Sequence, residues 1–245
     1  MTLIIALLCK EGIVMASDGQ STVWSAGGPP IRIPSQKIFP IGNKMLFAAS
    51  GTVGIIQQAK RIMSAFEQDA DRGFSYELVD KIRQNLFRVF QQELQRHKTF
   101  WKGTGYEKVE HAPTADILLA YCECKTGRPC TELVHITRDA FYETLTEQGF
   151  ATTGIGDIFA YTILGNYYRK DIDISRGIIL AYRVIKTAIE TGAWGLGEPI
   201  DIWTLTCDGP KRIKGPELDA VRDAYGAWME AERSIFYETT SSYSR

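Results

Sequence analysis

Thr2-Leu-Ile-Ile-Ala-Leu-Leu-Cys9, Lys10-Glu-Gly12, Ile13-Val-Met-Ala16, Ser17-Asp-Gly-Gln20: the fold is decided in these opening residues. The first segment is apolar without interruption, as a strand covered on both faces must be. Lys10-Glu11-Gly12 supplies a turn, Ile13 to Ala16 a second strand, and Ser17-Asp18-Gly19-Gln20 its close. In an antiparallel hairpin the start of one strand neighbours the end of the next. Thr2 and Asp18 are therefore expected to meet, a hydroxyl near the chain start beside a carboxylate. That pairing suits an N-terminal nucleophile.

Working outward, Lys37-Ile-Phe-Pro-Ile-Gly-Asn-Lys44 and Met45-Leu-Phe-Ala-Ala-Ser50 read as two further strands joined at Gly42-Asn43. Gly27-Gly-Pro-Pro30 marks a loop before them. From Gly51 to Asp71 the apolar spacing becomes helical, through Ile55, Ile56, Ala59, Ile62, Met63 and Phe66. Ser75 caps a second helix striped by Leu78, Ile82, Leu86 and Phe90. Strands return at Ala115 to Cys122 and Thr131 to Ile136, with a short edge strand near residues 141–145. Helices follow from Asp157 to Asn166 and from Ser175 to Thr191, then a strand from Pro199 to Thr206 and a C-terminal helix opened by Pro216. The order is strands, two helices, strands, two helices, strand, helix. Two mostly antiparallel sheets packed together, each backed by a helix pair, satisfy it: an α+β fold, a four-layer αββα sandwich. One domain over residues 1–245 is the simpler division, with residues 207–245 a C-terminal helical extension.

Composition sets limits. The 245 residues are 44% hydrophobic and 23% charged, enough for a large core. A formal net charge of -1 provides no basic excess for nucleic acid. No apolar run reaches the ~20 residues that span a bilayer, and the opening segment lacks the basic start of a signal peptide. These features read as a soluble, cytoplasmic protein. Its five cysteines are an odd number, so reduced thiols are the default. Cys122, Cys124 and Cys130 lack common zinc spacing, and neither metal nor cofactor is called for.

A threonine hydroxyl needs a base to attack a carbonyl at neutral pH. If Met1 is removed, the base is the α-amine of Thr2, whose reference pKa is about 7.7–8.0. A lysine ammonium nearby lowers that value by like-charge repulsion. Lys37, opening a strand placed beside the first, is the candidate, with Asp18 holding it charged. Ser50-Gly51 lies at a strand-to-helix junction, where backbone N–H groups and the helix dipole can stabilise an oxyanion. Each piece also has a bland reading. A second-position threonine is common, Asp18-Gly19 suits a turn, Lys37 a surface and Ser50 an N-cap. The combination in this order is more specific than its parts.

Those residues resemble a proteasome β-type subunit, an N-terminal nucleophile hydrolase. The matching stretches are Thr2 on the opening strand, Gly12 to Thr22, Ser35-Gln-Lys37-Ile38, Ala48-Ala-Ser-Gly51 and Gly154-Ile-Gly156 followed by Ala160-Tyr and Leu164. Ser17-Asp-Gly-Gln-Ser-Thr22 is most similar to the bacterial HslV peptidases, while the length and C-terminal helix resemble the Anbu branch. The resemblance implies Thr2 as nucleophile, Lys37 and Asp18 as its support, and the Gly51 N–H as oxyanion donor. It implies substrate binding as an added strand around Ser21, Thr22, Gly51 and Val53, with Ala49 lining a roomy apolar specificity pocket. Two stretches depart from the family. Thr191-Gly-Ala-Trp-Gly-Leu-Gly-Glu198 lacks its supporting Asp and Ser, and Gly154-Ile-Gly156 replaces Gly-Ser-Gly. Thr152 or Thr153 could replace the lost hydroxyl.

The function implied is a threonine endopeptidase acting on peptides or unfolded proteins, assembled as a homo-oligomeric ring or open spiral. An ATPase partner stays open. The competing readings are a catalytically silent assembly subunit of the same fold, and an acyl-transferring transpeptidase or amidase. With Met1 retained, Thr2 has an amide in place of an amine, and the mechanism fails.

Overall fold

The computed structural model describes residues 2–23, 30–192 and 195–241. Met1, most of the Gly27 to Pro30 loop, and Ala193-Trp194 lie outside the described residues. The opening run is β1 (Leu3–Cys9), β2 (Gly12–Ser17), β3 (Gln20–Val23), β4 (Ile31–Pro34), β5 (Ile38–Ile41) and β6 (Met45–Gly51). Next come α1 (Val53–Ala65), α2 (Glu67–Arg72) and α3 (Tyr76–Phe100), then β7 (Ala115–Lys125), β8 (Arg128–Ile136), β9 (Tyr142–Thr144) and β10 (Phe150–Gly154). The chain continues through α4 (Asp157–Tyr167), α5 (Ile174–Glu190), β11 (Asp201–Thr206), β12 (Gly209–Ile213) and α6 (Pro216–Ser241).

Two five-stranded antiparallel sheets result, in the orders β10-β1-β2-β11-β12 and β5-β6-β7-β8-β9. Strand alternation sorts each residue to one of three cores. Ile4, Ala6, Ile13, Met15, Leu46, Ala48 and Leu118 meet between the sheets. Leu3, Ile5, Leu7, Val14 and Ala16 face α4, α5 and α6. Phe47, Ala49, Ile117 and Leu119 face α1 and α3. A strand buried on both faces must be apolar throughout, which is why β1 reads as it does. The four-layer αββα sandwich is the architecture expected.

Several local expectations change. The helix expected over residues 51–71 starts at Val53 and breaks at Phe66, whose φ of -102° and ψ of 10° separate α1 from α2. The β5–β6 connection has three residues, since Ile41 pairs with Met45. Gly42 takes φ 58° there, and Asp71 accepts a 2.6 Å hydrogen bond from the Asn43 N–H. Residues 150–154, ahead of the helix expected from Asp157, form β10 and pair with β1. Residues 209–213, assigned to a helical extension, form β12 at the sheet edge. β3 and β4 make a separate two-stranded ribbon. β10, β12 and the β3–β4 ribbon were missed for the same reason: a short strand has too few residues to show a period.

The reduced-thiol expectation fails for one pair. Cys124, near the end of β7, forms a disulfide with Cys207, just after β11, with Cα atoms 5.1 Å apart. The two cysteines belong to different sheets, so only the packing of the sheets brings them together. Cys9, Cys122 and Cys130 are free thiols.

Candidate active site at the start of β1

The site lies where β1 begins, β2 ends and the two sheets part. The hairpin register pairs Ile4 with Ser17, so Leu3, one residue past Thr2, stands opposite Asp18. Asp18 Oδ1 accepts from the Leu3 N–H at 3.0 Å, and the Asp18 N–H donates to the Leu3 carbonyl at 3.2 Å. The hairpin argument thus brings Asp18 to the backbone beside Thr2. Asp18 is wholly buried, and its other oxygen accepts from the N–H groups of Gln20 at 3.3 Å and Gly197 at 3.4 Å. Gly197 lies in the stretch lacking the supporting Asp and Ser, and its backbone N–H contacts Asp18.

Lys37 Nζ lies 2.6 Å from Asp18 Oδ1, and both side chains are buried. The route differs from the one expected. Lys37 immediately precedes β5, an edge strand of the opposite sheet, and reaches Asp18 across the sheet interface. Burial pulls the Lys37 ammonium below its ordinary range, and the charge and hydrogen bond of Asp18 oppose that fall. A lone buried charge at this point would be costly; the pair and the amide donors to Asp18 compensate.

Thr2 is 8% exposed and lines a cavity of about 640 Å³ together with Ser50, Gly51, Thr153, Gly154 and Ile155. Gly51 takes φ 132°, and a methyl group there would stand 2.4 Å from the Thr114 carbonyl oxygen. Only glycine fits. Two residues on, α1 begins, so the positive end of its dipole lies beside Gly51. The N-cap of α1 is Thr52; the Ser50 hydroxyl instead lies 2.8 Å from that of Thr153. The cavity's other wall carries charged groups that sequence reasoning missed. Asp116 accepts from the backbone and guanidinium of Arg138 at 3.0 and 3.2 Å. His135 Nδ1 lies 3.2 Å from Glu143. Asp157, in the first turn of α4, is raised above the usual carboxylate range by burial. The wall combines β7, β8 and α4, segments with no shared sequence pattern.

The expected substrate-binding residues divide. Ser21 and Thr22 lie on the β3–β4 ribbon, half-buried, and Val53 is exposed at the start of α1. Ala49 sits behind the site. It is 1% exposed and packs in the core shared with α1, because alternation on β6 turns it away from the sheet interface. Of the two threonines considered, Thr153 lines the cavity, whereas Thr152, one residue earlier, points to the other face of β10.

Residues 2–106 match the proteasome subunit family. The chain is 24% identical over 222 residues to proteasome subunit beta 2 of Pyrococcus furiosus, covering 89% of this chain and 93% of that one. It is 24% identical to proteasome subunit beta of Methanosarcina barkeri and 25% identical to that of Methanohalophilus mahii, each over 90% of this chain and 93% of the relative. These relatives are archaeal and do not distinguish the bacterial branches. The chain is thus similar to archaeal proteasome β subunits along about nine-tenths of its length, with the family model matching its first part.

Proposed function

We propose that this chain is a threonine peptidase of the proteasome β type, with Thr2 as nucleophile once Met1 is removed. The observation that carries the reading is the buried Asp18–Lys37 pair, joined at 2.6 Å across two sheets and hydrogen-bonded to the backbone next to Thr2. A sandwich stabilised by apolar packing has no need of a buried ion pair there, and such a pair adds little stability by itself. Beside a free amine it has a use. The Lys37 charge lowers the amine's proton affinity, so the amine is neutral and basic near pH 7.

In this mechanism the α-amine takes the hydroxyl proton as Oγ adds to the substrate carbonyl carbon. The oxyanion is stabilised by the Gly51 N–H at the start of α1. The amine then passes its proton to the leaving nitrogen, the C–N bond breaks, and an ester remains on Thr2. Water hydrolyses the ester to a carboxylic acid and restores Thr2. Lys37 and Asp18 supply electrostatics and position, and no metal or cofactor enters a step. Substrate would lie as an extended strand between the Ser21-Thr22 ribbon and the Gly51–Val53 junction, with Ala49 in the shell behind it.

The finer proposals are an HslV- or Anbu-like type, peptides or unfolded proteins as substrate, a cytoplasmic setting and a homo-oligomeric ring or spiral. Among the described residues no helix is long and apolar enough to cross a membrane. An ATPase that feeds substrate is compatible with this arrangement. An amine acceptor would turn the same acyl-enzyme into a transpeptidase, so ligated product on adding amines is the sign of that chemistry. The silent assembly subunit is favoured by the absent family Asp and Ser and disfavoured by the buried Asp18–Lys37 pair.

The test is intact mass before and after a threonine-directed β-lactone, with Thr2→Ala as control. The expected result is loss of Met1 and one adduct, absent from Thr2→Ala. Retained Met1 with no adduct would leave the silent subunit as the better reading.

A further inference from the structure

The sheet interface changes character at one end. On β6 the interface positions are Leu46, Ala48 and then Ser50; on β10 they are Ala151 and then Thr153. In both strands the apolar alternation gives way to a hydroxyl at the last position before a positive-φ glycine. Gly51 has φ 132° and Gly154 has φ 111°. A methyl group on Gly154 would stand 2.0 Å from the Thr2 carbonyl oxygen. The bare backbone is therefore what lets β10 close on Thr2 and bring Thr153 with it. Ser50 and Thr153 are 5% and 3% exposed, 2.8 Å apart, and both line the cavity at Thr2.

Two hydroxyls in one hydrogen bond share one proton between their oxygens. The other proton stays on the accepting hydroxyl and points elsewhere. Among the described residues neither hydroxyl has a second hydrogen-bond partner. A buried donor left unmatched is costly, and apolar side chains would avoid that cost, as they do along the rest of this interface. The cavity is where an acceptor can stand, and Thr2 is in its wall.

We propose that Ser50 and Thr153 form a positioning pair that, once Met1 is removed, turns its outward proton to the Thr2 hydroxyl oxygen, a bond not made in this structure, and so orients it for attack. This rests on the reading of Thr2 as nucleophile. It assigns a role to two residues that lie on different sheets 103 positions apart. The pair acts through Thr2 and does not itself form or break a bond with substrate.

The experiment measures the rate and saturation of Thr2 labelling by a β-lactone, using intact mass, for the wild type, Thr153→Ser, Thr153→Val and the double variant Ser50→Ala/Thr153→Val. Thermal melting is followed in parallel. Labelling is expected to slow roughly 10- to 100-fold in Thr153→Val, with the half-saturating lactone concentration unchanged. Thr153→Ser should label within a few-fold of wild type, because it keeps the hydroxyl. The double variant decides the matter. It removes both polar groups, so its stability should return towards wild type while its labelling stays slow. If labelling recovers along with stability, the pair is structural and the proposal is overturned. A wild type that labels beside variants that label equally fast removes the pair's role and leaves the nucleophile reading standing. A wild type that gives no adduct removes both.

Discussion

The two ends of the sheet sandwich contrast in what they do with nucleophilic side chains. At the Thr2 end, hydroxyls stand at a cavity beside a buried ion pair. At the other end lie the thiols of Cys9 and Cys122 and the Cys124–Cys207 disulfide. Burial pushes Cys9 up to about 12, with Glu11 and Asp173 adding to the shift, and Cys122 up to about 11. Thiols held so far above neutral pH are protonated and inert. The intrinsically better nucleophile is thus locked into packing, and the weaker one is given a cavity, a charge pair and a helix N-terminus. Environment decides reactivity more than residue type does.

The sharpest way to break this contrast is Thr2→Ala. It should reduce peptide hydrolysis and lactone labelling by at least ~10³-fold, read by fluorogenic cleavage and intact mass, while thermal stability stays close to wild type. If Cys9 or Cys122 reacts in its place, the contrast is wrong.

Asp18→Ala is next. It strands the Lys37 ammonium in the interior, and denaturant unfolding should show a loss of about 3–5 kcal/mol. Asp18→Ala/Lys37→Met should recover much of that stability and none of the activity. Such a result would place the value of the pair in chemistry rather than in folding.

The opposite end should show the reverse pattern. Cys124→Ser opens a link between residues 83 apart in sequence, and the stability lost should be about 2–4 kcal/mol. Thr2 labelling at 25 °C should stay unchanged. A slowed label would mean that the two ends are coupled through the sheets.

The smallest effect tests a third region, the docking of α6. The Arg183 guanidinium pairs with both oxygens of Glu232 at 2.6 and 2.8 Å, and it stacks on Trp228 and Tyr167. The Arg183 hydrogen bond holds Glu232 below the usual carboxylate range. The depressed value means the stabilisation is present above the unfolded value of about 4.3 and is lost as pH falls through the folded one. Trp228 fluorescence should report α6 loosening in acid. Glu232→Gln should cost about 1–2 kcal/mol and flatten that dependence, with the Thr2 site unaffected.

Much was written in the chain itself. The unbroken apolar β1 announced a strand covered on both faces. The period change after Gly51 announced the helical layer, and the hairpin fixed Asp18 beside the first residues of β1. These are local features, carried by residues close in sequence, and alternation and turn chemistry suffice to read them. What only the tertiary structure decided spans the two sheets: Lys37 arriving from the opposite sheet, Ser50 meeting Thr153, Cys124 joining Cys207, and Ala49 turning into the core. The sequence spells out which side chains lie on which face of a strand. Which face meets which depends on how the two twisted sheets pack, and that is settled by the whole interface at once.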